Sequence, residues 1–61
     1  MNNTVNNIKE EAKDLIQRRN KTSSTNMSEW YEGKAIGLME ALMQLHEISR
    51  EEYDIFLDSL T

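Results

Sequence analysis

An all-α fold of three helices is what this sequence predicts, and three observations carry the prediction. There is no proline, the only glycines are Gly33 and Gly37, and apolar residues recur at spacings of three and four along most of the chain. Nothing therefore marks a β-hairpin, and the helical period stands uncontested. The expected helices span 4–19, 28–46 and 49–60, with a polar linker over 20–26 and a helical hairpin over 27–61.

The first helix carries Val5, Ile8, Ala12, Leu15 and Ile16 on one narrow stripe. Lys9, Glu10, Glu11, Lys13, Asp14 and Arg18 occupy the other faces. That is the pattern of a helix with one buried seam. Asp14 stands four residues before Arg18, the favourable order for an ion pair. Asn3 or Thr4 suits the start, and Arg18, Arg19 and Lys21 suit the negative pole at the end. In the linker, Ser, Thr and Asn side chains compete for backbone hydrogen bonds and favour caps and loops. Its seven residues allow the first helix to fold back or to swap onto a second chain.

The second helix is apolar on more than one side, with Trp30, Tyr31, Ala35, Ile36, Leu38, Met39, Ala41, Leu42, Met43 and Leu45. Asn26 with Glu29 offers a capping box and Ser28 a competing cap. Gly33, Gly37 and Ala41 form a strip without side-chain bulk. Each glycine costs a helix up to about 1 kcal/mol relative to alanine. Two of them four apart imply a close backbone approach, either within the chain or at a dimer seam. The third helix has the fullest start signal. Ser49 is its N-cap, Glu52 completes a capping box, and Ile48 with Tyr53 forms a hydrophobic staple. Tyr53, Phe56, Leu57 and Leu60 make its apolar face. A helix of about three turns is marginal alone and must dock to persist.

Sixty-one residues make one domain, and a chain of this size buries only roughly 60% of its unfolded surface. Disulfides and thiolate-metal sites are excluded because there is no cysteine, and His46 has no second histidine with which to share a metal. That leaves well-packed helices or self-association to complete the core, and self-association, with a dimer favoured, is the expectation. No apolar run reaches the ~20 residues of a membrane span. Residues 1–8 lack the basic start and apolar stretch of a secretory signal. The expected location is the cytoplasm. The net charge of −4 disfavours phosphate-rich partners.

Catalytic chemistry finds no constellation in the sequence. Most serines sit in the linker or at caps, and His46 reads as a helix-terminal residue. Asp54 and Asp58 share a face but lack the oxygen-rich loop that would hold a cation. The chain is therefore expected to be no enzyme and to carry no cofactor or metal. The expected partner is a protein, met through Trp30, Tyr31, Gly33, Ile36, Gly37, Met43 and Ile55. Trp and Tyr are typical anchors, and adjacent aromatics diverge by about 100° around a helix, so both need not be buried. Met27, Met39 and Met43 read first as core fillers and second as an adaptable surface. Ile36, Met43 and Ile55 exceed what a three-helix core needs. The alternative is a nucleic-acid-associated regulator using Arg18, Arg19 and Lys21, a cluster interrupted by acids and without an aromatic to stack a base.

Two resemblances add to this reading. The segment with Leu38, Leu42, Leu45, Ile48, Ser49, Glu51, Glu52, Tyr53, Phe56, Leu57 and Leu60 resembles the short helical-hairpin module called SHOCT. It departs from that pattern at His46-Glu47, where the family usually has a glycine, and in lacking the final helix's lysine. The resemblance implies an oligomerisation or interaction module. The run Trp30-Tyr31-Glu32-Gly33-Lys34-Ala35-Ile36-Gly37-Leu38 is similar to stretches in small phage and mobile-element proteins of low-GC Gram-positive bacteria. That similarity implies a regulator or inhibitor of a host protein.

Overall fold

The computed structural model describes residues 3–60 and contains three helices: α1 (Asn3–Lys21), α2 (Thr25–Gln44) and α3 (Arg50–Asp58). The all-α prediction holds, and α1 folds back along α2 within its own chain. The stripe expected on α1 is the one used. Ala12 and Leu15 are buried, and Val5, Ile8 and Ile16 pack around them. From α2 the core takes Ala35, Met39 and Leu42, flanked by Tyr31, Leu38 and Met43. Ile48 closes it from the loop before α3.

The seven-residue linker contracts to three residues, 22–24. Thr22 remains bonded to the helix, its N–H donating to the Arg18 carbonyl at 3.0 Å. The cap of α2 is Ser24, whose Oγ accepts from the Met27 N–H at 3.2 Å. Asn26 and Ser28, expected as caps, instead lie inside the first turns of α2. The physical reason is competition between similar caps: Ser24 is the earliest residue that lets the helix begin, and each added turn supplies backbone bonds. At the start of α1, Asn3 and Thr4, expected as caps, already lie within the helix.

α2 ends two residues earlier than expected, at a Schellman turn. The Glu47 N–H donates to the Leu42 carbonyl at 2.9 Å and the His46 N–H to the Met43 carbonyl at 3.0 Å. His46 sits at φ 61, the left-handed conformation in which glycine is the usual residue. α3 starts as the sequence indicates, with Ser49 Oγ accepting from the Glu52 N–H at 3.0 Å. The Glu52 carboxylate is drawn to Lys9 Nζ on α1, 3.0 Å away. Ten residues further along α1, Arg19 reaches the Leu60 carbonyl. α3 therefore runs in the same sense as α1.

The core is small. Among the described residues six are buried, and none of them belongs to α3. The molecule exposes 4481 Å², against about 4,100 Å² for a compact chain of this mass.

Candidate functional site

Two faces of α2 have different fates. The inner face, through Tyr31, Ala35, Met39 and Leu42, is consumed by packing against α1 and Ile48. The outer face carries Met27, Trp30, Lys34, Gly37 and Ala41, spaced 3, 4, 3 and 4. That spacing keeps all five on one stripe of a helix. All five are exposed. Trp30 is 54% exposed, Met27 42%, and Leu45, where α2 ends, 69%.

The aromatic pair is divided by this arrangement. Tyr31 packs against the core while its neighbour Trp30 points outward. Their rings meet edge to face, with centroids 5.4 Å apart and planes at 71°. Lys34 Nζ lies 5.0 Å from the centre of the Trp30 ring, where the electron-rich face attracts a cation. Trp30 is thus held in one orientation by two neighbours, although more than half of it faces solvent.

The glycines also lie outward. A Cβ built at Gly33 or at Gly37 would meet nothing within 4 Å. A close backbone approach inside the chain is therefore not the reason for either glycine, which corrects that half of the expectation. The packing burden falls on Ala35, which is fully buried, and not on the glycine strip. Of the two readings of Met43, core filler holds and surplus does not: it is half-buried and packs against the core cluster. Ile36 is half-buried, on the flank between the two faces. Ile55, on α3, is 62% exposed and left over from the core as expected. Sequence reasoning took Met27 first as a core filler and only second as surface, and gave Lys34 and Leu45 no surface role. The unbroken 3-4-3-4 spacing of the stripe was the available signal.

The basic end of α1 is largely engaged within the chain. Arg18 Nε donates to Asp14 Oδ2 at 2.9 Å, and this hydrogen bond, with the Asp14 charge, raises the guanidinium pKa further above its ordinary value. Arg19 Nη2 donates to the Leu60 carbonyl at 2.9 Å and stands 3.7 Å from Glu32. Lys21 is exposed. On α3, Arg50 bonds Asp54 at 3.2 Å, so the acidic face there is partly neutralised by its own helix.

Among the described residues there is no enclosed pocket and no group of three His, Asp or Glu side chains drawn together as a metal would need. No helix is long and apolar enough to cross a membrane. The chain matches no protein-family model, no curated protein and no solved structure.

Proposed function

We propose that this chain is a small, non-catalytic interaction protein whose working surface is the outer stripe of α2. The observation that carries the reading is the exposed, oriented Trp30 on a helix whose opposite face already fills the core. A tryptophan offers 150–250 Å² of contact area, so leaving half of it bare forgoes on the order of 2 kcal/mol of burial. The bulkless positions Gly33, Gly37 and Ala41 beside it let another backbone come close. An exposed aromatic anchor beside small residues is how interfaces concentrate their binding energy.

The likeness of the Trp30–Leu38 run to phage and mobile-element proteins supports a regulator or inhibitor of a host protein as the biological form of this activity. The SHOCT-like segment from Leu38 onward supports association of the chain with itself. The lack of cysteine accords with work in a reducing cytoplasm.

Photo-crosslinking tests the surface directly. Trp30 is replaced by a benzoylphenylalanine residue, and the protein is irradiated alone and in extract of cells that express it. The expected result is a discrete cross-linked product, either two copies of the chain or the chain with one other protein. If irradiation leaves only single chains in both settings, the outer stripe is not an interaction surface. The same substitution at exposed Glu11, on α1, is the control that should give no product.

A further inference from the structure

We propose that α3 is a clasp: it opens as a unit about the joint between Ile48 and Ser49 while α1 and α2 stay paired. Opening uncovers an apolar face that the closed form withholds from water. The inference is independent of the outer stripe of α2 and of any partner for it.

Three observations carry it. The first is where the core lies. Every buried residue among those described precedes Ser49, the last of them being Ile48, and α3 contributes none. Tyr53 and Phe56 pack against the cluster but are only half-buried. The second is where the chain is fixed. The Glu47 N–H donates to the Leu42 carbonyl at 2.9 Å, and the Ile48 N–H reaches the same oxygen at 3.4 Å. The backbone is thus tied to α2 as far as Ile48, whose side chain sits in the core. Beyond that point two side chains of α1 reach across to this part of the chain. Lys9 pairs with Glu52 in the first turn of α3, and Arg19 holds the Leu60 carbonyl after its end. The Lys9 and Glu52 side chains are 30% and 45% exposed, and ion pairs so open to water hold weakly.

The third observation is length. A helix of nine residues does not persist in water without support. Once α3 leaves α1 and α2 it therefore loses its helix, and its backbone bonds open together and not one turn at a time. In the closed form Tyr53, Phe56, Leu57 and Leu60 are half-buried and Ile55 is exposed. In the open form all five face water on one short segment, while α1, α2 and Ile48 keep the core between them.

Native-state hydrogen exchange of the full chain tests the clasp. The Tyr53 N–H donates to the Ser49 carbonyl and the Ser59 N–H to the Ile55 carbonyl, each at 3.1 Å, so these amides report on the two ends of α3. Corrected for intrinsic rates, both should exchange at one common rate, about tenfold or more faster than the amides of Leu15 and Leu42. Lys9→Gln removes a tie at the start of α3 only. It should nevertheless speed Tyr53 and Ser59 by the same factor, about two- to fivefold. A response confined to Tyr53, or none at either amide, overturns opening as a unit. So does exchange of α3 at the same rate as α1 and α2. Ile55→Pro gives an independent check, because Ile55 is exposed and proline breaks a helix interior without removing core packing. Circular dichroism of that variant should lose only the share of α3, with the amides of Leu15 and Leu42 still protected. Collapse of the whole helical spectrum would show that α1 and α2 do not stay paired without α3, and the proposal would fall.

Discussion

Arg19 of α1 donates a hydrogen bond from Nη2 to the carbonyl oxygen of Leu60, 2.9 Å away and 41 residues later in the chain. The same guanidinium stands 3.7 Å from Glu32 on α2. One side chain thus ties the end of α1 to the start of α2 and to the turn after α3. α3 has no buried residue of its own, so this bond and the Lys9–Glu52 pair at 3.0 Å hold it to α1 alongside its packing on α2.

Arg19→Ala should therefore destabilise the protein by about 1.5–3 kcal/mol, the range for a hydrogen bond involving a charged group. The loss should fall chiefly on the C-terminal turn. Hydrogen exchange of the Ser59 and Leu60 amides checks this, because both donate within that turn. Arg19→Lys should recover only part of the loss, since lysine lacks the planar fork that serves two acceptors at once. Protection of these amides equal to wild type in Arg19→Ala would show that the bond does not hold the turn.

Leu42 is 2% exposed and is the largest fully buried side chain. Leu42→Ala should cost about 2–5 kcal/mol through lost burial and the cavity left behind. For a chain with so few core residues, that is enough to abolish a cooperative thermal transition. A melt by circular dichroism that stays cooperative near the wild-type midpoint would contradict the placement of the core.

His46 adopts φ 61 at the Schellman turn that ends α2. A left-handed residue other than glycine is strained by about 1–2 kcal/mol, and the flexibility of glycine in the unfolded chain returns part of that. His46→Gly should stabilise the protein by about 0.5–1 kcal/mol, and the β-branched His46→Val should destabilise it. Urea denaturation of the two variants is expected to bracket the wild type. The opposite order would mean that the turn is not formed in solution.

Ser24 and Ser49 each accept from the backbone N–H three residues on, Met27 and Glu52 respectively. Ser24→Ala and Ser49→Ala should each cost about 1 kcal/mol. Asn26→Ala, at the position first expected to cap α2, should fall within about 0.5 kcal/mol of wild type. Equal losses at Ser24 and Asn26 in denaturant titrations would mean that the helix start is shared between them.

Gly33 and Gly37 separate folding from association. Because a Cβ at either position meets nothing, Gly33→Ala and Gly37→Ala should each stabilise the single chain by up to about 1 kcal/mol. Gly37→Leu should leave the helical spectrum intact while abolishing association measured by light scattering. Loss of helicity in Gly37→Leu would restore the close-packing role inside the chain that the open space argues against.

The local signals of this fold are readable from the residues alone. Ser49, Glu52, Ile48 and Tyr53 mark the start of α3 because a cap and a staple act between neighbours a few positions apart. The Val5-Ile8-Ala12-Leu15 stripe names the buried side of α1 because an apolar face has one place to go. The same logic fails on α2, which is apolar on both sides. Periodicity cannot choose between two hydrophobic faces, and it left Trp30 and Tyr31 equivalent, Met43 either core filler or surplus, and the glycine strip either inside the chain or at a dimer seam. Packing made the choice: α1 and Ile48 cover the Ala35-Met39-Leu42 side, so Tyr31 goes inward and Trp30, Gly33 and Gly37 go outward. Nor does sequence spacing disclose that Arg19 meets Leu60 or Lys9 meets Glu52. Those pairs are decided by how the helices lie against one another, because a long cation finds its acceptor only after apolar burial has set the distance.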